Sequence, residues 1–170
     1  MIDYTVFQFD ANHITRPERF VQAMSAIEPD WSTLTISAKP QQFGVTLVCH
    51  PLLYVEWWLA LKHPGQPFEH GMKRLTAGYN TGNLSNGAIG SQFFKTAFDI
   101  TTCLRIEDMP EAFAEFCKSM GVPQSQQLTD AAVRCWPESE IKLVHDWKSE
   151  WRCLVASHER DFMERYDYWI

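Results

Sequence analysis

Residues 31–49 read WSTLTISAKPQQFGVTLVC, and this stretch decides the predicted fold. Leu34 and Ile36 alternate with hydroxyl-bearing residues, and the alternation resumes over residues 43–49. Such a period of two is typical of half-buried strands. Because only the short segment 39–42 joins the two runs, the sequence predicts an antiparallel hairpin.

Two further segments have the composition of strands. Residues 3–10 are rich in Tyr, Val and Phe, and residues 98–106 place Ile100, Thr102 and Leu104 on one face. We expect these segments to extend the hairpin into an antiparallel sheet of three to five strands.

Helix signals punctuate the rest of the chain. Pro17 and Glu18 open a helix that ends before Pro29. The apolar run 52–61 fits either a buried strand or a buried helix, since periodicity does not separate the two. Pro51, at a possible first helical position, favours the helix.

The last helix is predicted to begin at residue 138 or 139 and to be the longest element. Its apolar stripe consists of Val144, Trp147, Trp151, Leu154, Val155 and Phe162. Charged residues of both signs, Glu159 among them, are assigned to the opposite, solvated face.

These signals predict an α+β fold with a single globular domain over residues 1–170. An antiparallel sheet of three to five strands would pack against several helices, with a long C-terminal helix. The chain has 170 residues, of which 45% are hydrophobic, so it can bury a core without a metal or a disulfide.

Charge and cysteine content restrict the partner and the compartment. The formal net charge is −6 at pH 7, which disfavours nucleic acid because phosphate contacts need a dense basic surface. Five scattered cysteines with no Cys-x-x-Cys pair predict free thiols in a cytoplasmic, reducing compartment. The first residues do not resemble a signal peptide, and the apolar run 51–61 is too short to span a membrane.

Cys49, His50 and Glu56 offer a catalytic alternative. They supply a thiol, a base and a carboxylate, as a small hydrolase would require. Their spacing fits no arrangement that we can justify, and Glu56 is expected to face water.

A metal site has equally little support. His63 and His70 are seven residues apart on either side of a turn, so they lack the shared helical face of a metal-binding pair. We therefore predict no catalytic residue, no cofactor and no metal.

Two segments are predicted to contact a partner. Loop 78–90 contains four glycines and three asparagines, which suits a binding loop. Segment 166–170 carries large aromatic side chains of the kind that anchor interfaces. The candidate partner-binding residues are Asn80, Asn83, Asn86, Tyr166, Tyr168 and Trp169.

A domain without a recognisable catalytic set leaves protein recognition as the leading functional class. We expect a non-catalytic protein-binding protein, an inhibitor or immunity protein that neutralises a basic partner such as a toxin. Two alternatives stay open: a small cytosolic hydrolase that uses Cys49, His50 and Glu56, and a homo-oligomeric accessory protein that uses the aromatic segment.

Overall fold

The computed structural model describes residues 5–7, 15–27, 34–37, 44–91 and 102–169. The chain divides into two compact units: Met1–Cys49 with Lys95–Lys142, and His50–Phe94 with Leu143–Ile170. Parts of the predicted strands 3–10 and 98–106 lie outside the described residues.

Helices dominate the described ranges, which corrects the predicted α+β balance. The four strands that the structure describes are β1 Thr5–Phe7, β2 Thr35–Ser37, β3 Gly44–Val48 and β4 Thr102–Arg105. The eight α-helices within the described ranges are α1 Glu18–Ile27, α2 Pro51–Lys62, α3 Phe68–Asn80, α4 Glu111–Ser119, α5 Gln126–Cys135, α6 Glu138–Ile141, α7 Ser149–His158 and α8 Arg160–Arg165.

The strands belong to the first unit and form a small sheet in the order β2-β1-β3-β4. All of their pairings are parallel. β1 lies between the two strands of the predicted hairpin, with Val6 opposite both Ile36 and Val45. The prediction of an antiparallel sheet is therefore wrong.

This error has two physical sources. β2 is only three residues long and pairs with β1, so its closeness to β3 in the sequence did not make these two strands neighbours in the sheet. β3 is buried along all five of its residues, Thr46 included. Burial on both faces is typical of an inner parallel strand, so the alternation of apolar and hydroxyl residues did not mark a solvent-exposed face.

An aromatic cluster forms the helical part of the first unit's core. Phe20 of α1 packs edge-to-face against Phe113 and Phe116 of α4, with ring centroids 5.6 and 5.4 Å apart. Trp136, which follows α5, lies 5.2 Å from Phe113. All four rings are buried, so this cluster joins the three helices through large apolar surfaces.

The second unit is built from α2, α3, α7 and α8. Residues 52–61 are helical, as Pro51 indicates. His50 Nδ1 accepts the Leu52 backbone N–H at 3.0 Å, and Pro51 occupies the first turn, where its missing N–H has no cost.

The predicted long C-terminal helix is instead three helices. α6 ends at Ile141, and the chain is next α-helical from Ser149. The backbone N–H groups of Val144 and His145 donate to the Glu56 carboxylate, which holds this segment outside a helix. A second interruption at Glu159, where φ is −110° and ψ is 21°, separates α7 from α8.

The predicted apolar stripe is only partly buried. Trp147, Trp151, Val155 and Phe162 are buried, whereas Val144 is 68% exposed because it lies in the non-helical segment. Within the described ranges, none of the helices combines the length and apolarity needed to cross a bilayer.

Candidate functional site

Glu159 is a fully buried carboxylate at the junction of α7 and α8. Its Oε1 accepts hydrogen bonds from the Tyr79 hydroxyl and the Ile89 backbone N–H, both at 3.0 Å. Its Oε2 accepts the Gly90 backbone N–H at 2.7 Å. One side chain thus fastens the end of loop 81–91 to α3 and to the α7–α8 junction.

The pKa values of Glu159 and Tyr79 are both raised by burial. Burial raises the pKa of the Glu159 carboxyl, and the three hydrogen bonds oppose this effect only in part. Burial, together with the neighbouring carboxyl, also raises the pKa of the Tyr79 hydroxyl far above its ordinary value. Tyr79 therefore stays a hydrogen-bond donor throughout the neutral range.

His158 holds the middle of the same loop. Its carbonyl accepts the Gly87 N–H at 2.7 Å, and its Nδ1 forms a hydrogen bond with the side-chain oxygen of Asn86. Its ring stacks on Tyr79 with 4.0 Å between the centroids. Gly87 has a φ of +71°, a conformation that a residue with a Cβ rarely adopts. The loop therefore has a defined conformation that depends on both Glu159 and His158.

The six predicted contact residues lie in different environments. Asn80, Asn83 and Asn86 are exposed, Tyr166 is half-buried, Tyr168 is buried, and Trp169 is 75% exposed. The Tyr168 ring lies 5.9 Å from that of Phe162, and its N–H donates to the Met163 carbonyl. Tyr168 thus belongs to the core of its own unit and is removed from the accessible surface.

Trp169 borders an open groove on α7 and α8. Cys153, Ser157, Arg160 and Glu164 also line this groove. The indole N–H of Trp169 donates to the Asp167 carboxylate at 2.5 Å. The exposed aromatic ring therefore lies directly beside an acidic group.

The three residues of the catalytic alternative, Cys49, His50 and Glu56, have structural roles. Cys49 is fully buried, and burial, with a smaller contribution from the Glu107 charge, raises the pKa of its thiol well above the ordinary value. Because the thiolate is the nucleophile, such a thiol is poorly reactive. His50 uses Nδ1 to cap α2.

Glu56 was expected to face water, but it is buried. Its carboxylate accepts the N–H groups of Val144 and His145 at 3.0 Å and the indole N–H of Trp147 at 2.9 Å. These three donors account for its burial, since a buried charge requires hydrogen-bonding partners. Glu56 therefore positions the segment before α7.

Two side chains near the turn at residues 64–67 that could ligate a metal, His63 and Glu69, contact basic groups. His63 Nδ1 is 3.4 Å from the Arg74 guanidinium, and Glu69 forms an ion pair with Lys148 at 2.8 Å. In the part of the chain that the structure describes, no three potential metal-ligating side chains are grouped together.

Glu159 is the residue that the sequence analysis misplaced. It was assigned to a solvated helix face, yet it lies four residues after Val155 and three before Phe162, which are both buried. That spacing puts position 159 on the buried stripe, so helical periodicity by itself predicts that Glu159 is buried. Glu159 was assigned to the solvated face because its side chain is charged.

Comparisons with protein-family models, with curated proteins and with solved structures found no match to this chain. Its function must therefore be inferred from the surface that the folded chain presents. The second unit offers a fixed loop that carries side-chain amides, and an exposed tryptophan beside a carboxylate.

Proposed function

We propose that this protein is a non-catalytic binding protein, an inhibitor or immunity protein that neutralises a basic protein such as a toxin. The contact surface would comprise Asn80, Asn83 and Asn86 with Trp169 and Asp167, all in the second unit. The observation that carries the proposal is the 75% exposure of Trp169.

Trp169 has the properties of an interface anchor. An exposed indole leaves a large apolar area in water, and burial of that area against a partner is favourable. Tryptophan is also among the residues whose truncation costs most at interfaces, commonly about 2 kcal/mol or more. The hydrogen bond to Asp167 restricts the ring, which lowers the entropy lost on binding.

The loop contributes polar contacts from a defined backbone. Because the loop is bonded to Glu159 and His158, its backbone around Asn83 does not have to become ordered when a partner binds. Pre-organised loops lose less free energy on association than flexible ones. The loop and Trp169 both adjoin the α7–α8 junction: the loop bonds to His158, and the groove beside Trp169 includes Ser157.

Charge supports a basic partner. Asp161, Glu164 and Asp167 are exposed around α8, although Arg160 and Arg165 on the same helix offset part of their charge. The whole chain has a net charge of −6. Such an excess accelerates the encounter with a cationic surface.

The proposed binding takes place in the cytoplasm. All five cysteines are free thiols, and Cys103 and Cys153 among them are exposed. Exposed free thiols are typical of reducing compartments.

The test is capture followed by kinetics. Tagged wild-type protein is incubated with an extract of its source organism, and a captured basic protein is purified and its association rate measured. Trp169→Ala should weaken this complex about tenfold or more, as expected for an anchor residue. The control is Leu61→Ala, which truncates a side chain that is 54% exposed on α2.

Salt dependence, two substitutions and the oligomeric state provide further tests of the proposal. Association should slow markedly as the salt concentration rises toward about 0.5 M, because screening shortens the range of electrostatic steering. Binding should survive Cys49→Ala and His50→Ala. Loss of biological activity in either of these folded variants would support the hydrolase instead. A concentration-dependent dimer that Trp169→Ala disrupts, with no captured protein, would support the homo-oligomer.

A further inference from the structure

A half-enclosed apolar pocket lies in the second unit, bounded by α2, α3 and loop 81–91. α2 contributes the aromatic rings of Tyr54 and Trp58, and α3 contributes Leu75 and Tyr79. Tyr54, Leu75 and Tyr79 are buried, so they form the inner wall. The Tyr79 hydroxyl donates to Glu159, which leaves the ring of Tyr79 as its apolar contribution.

The loop forms the outer wall through Leu84, Ala88 and Ile89. The Leu84 N–H donates to the Gly78 carbonyl at 3.0 Å, and Leu84 packs closely on Gly78. A Cβ at Gly78 would come within 2.8 Å of the Leu84 side chain. Ile89 is held at the other end by its hydrogen bond to Glu159. Both ends of this wall are therefore fixed to the helices.

The size of the pocket indicates its ligand. Its volume is about 190 Å³, compared with about 150 Å³ for an apolar cavity that accommodates benzene. Water in a space lined by aliphatic and aromatic side chains forms few hydrogen bonds, so an apolar group displaces it favourably. A carboxylate would lose its hydration without gaining a cationic partner, because none of the described residues that line the pocket is basic.

We propose that this pocket binds an uncharged aromatic small molecule of one or two rings. Its rings would stack against Tyr54 and Trp58 and contact Ile89. The site is separate from the proposed protein-binding role of Trp169, which does not line the pocket. The two proposals can therefore fail independently.

The probe is indole, titrated into the wild-type protein while NMR follows the Trp58 side-chain N–H and the Ile89 methyl groups. We expect saturable shifts at both residues with a dissociation constant on the order of 1 mM or tighter. Indole-3-acetate carries a negative charge on the same ring system and should bind about tenfold more weakly.

A pocket-filling variant provides the second test. Ala88→Leu adds three carbons to the lining and should weaken indole binding about tenfold or more. The matched control is Ala77→Leu, at an exposed position of α3 outside the pocket, which should leave the affinity unchanged.

Three outcomes would overturn the proposal. The first is the absence of shifts at Trp58 and Ile89 up to about 10 mM indole, a concentration well above the expected dissociation constant. The second is equal binding of indole and indole-3-acetate, a result that can be obtained even if Ala88→Leu fails to fold. The third is an unchanged affinity in a folded Ala88→Leu variant.

Discussion

The Glu159 carboxylate accepts a hydrogen bond of 3.0 Å from the Tyr79 hydroxyl, although the two residues are 80 positions apart in the sequence. Both side chains are buried. Glu159 also accepts two backbone N–H groups of the loop, so this single carboxylate connects α3, the loop and the α7–α8 junction. Removal of its oxygens should affect all three.

Glu159→Ala should lower the free energy of unfolding by about 3 kcal/mol or more. The variant leaves three buried donors without an acceptor, and each unsatisfied group costs about 1–3 kcal/mol. Urea denaturation measures the change. The matched control is Glu164→Ala at an exposed position of α8, which should stay within about 0.5 kcal/mol of the wild type. Equal effects of the two substitutions would contradict the anchoring role.

The stability contributed by Glu159 should depend on pH. Burial raises the pKa of its carboxyl in the folded protein above the ordinary value of 4.5. The folded state then keeps a proton that the unfolded chain has already released. The contribution is therefore fully present below pH 4.5 and declines as the pH rises through the folded-state pKa.

Glu159→Gln tests this sign because glutamine does not titrate. In urea melts at a series of pH values, the stability advantage of the wild type over Glu159→Gln should shrink as the pH rises above 4.5. An advantage that grows over the same range would mean that the three hydrogen bonds outweigh burial, and that the folded-state pKa is lowered instead.

Local sequence signals predicted the helices best. Pro51 correctly favoured a helix over residues 52–61, and the spacing of Trp151, Val155 and Phe162 identified a buried stripe. These signals succeed because helix periodicity and N-terminal positions of proline involve residues close in the chain.

Features that depend on distant partners were missed. The sheet order requires β1 to lie between β2 and β3, which no local pattern encodes. Glu56 bonds to an N–H group 88 residues away, and Glu159 to one 70 residues away. A carboxylate on a helix is ordinarily predicted to face water, and only these remote donors make its burial possible. Tyr168 was predicted to contact a partner but is buried in its own unit, because the residues that cover it come together only in the folded chain.

Two tryptophans allow a direct comparison of core and surface. Trp151 is buried, with its ring 6.0 Å from that of Phe68, whereas Trp169 is 75% exposed. Trp151→Ala should destabilise the protein by about 3–5 kcal/mol, and Trp169→Ala by no more than about 0.5 kcal/mol. Denaturant unfolding measures both. A loss below about 1 kcal/mol for Trp151→Ala would show that this face of α7 is not part of the core.

The five cysteines should separate into reactive and protected thiols. Cys103 and Cys153 are exposed, whereas Cys49, Cys117 and Cys135 are buried. Burial raises the pKa of the Cys117 thiol to about 12 from an ordinary 9.0, which leaves about a thousandth of the usual thiolate fraction at neutral pH. Burial likewise raises the pKa of Cys49 and of Cys135, although Arg134 and Arg19 oppose the shift at Cys135.

In the folded protein a thiol-specific disulfide reagent should therefore modify two groups quickly, and the other three only as the structure opens. The unfolded, non-reduced protein should give five groups. Cys153→Ser should remove one fast group, whereas Cys49→Ser should leave the number of fast groups unchanged. A fast group that disappears in Cys49→Ser would show that this thiol is accessible and ionised. Such a result would restore the nucleophile that the hydrolase alternative requires, because the thiolate is the nucleophilic form of cysteine.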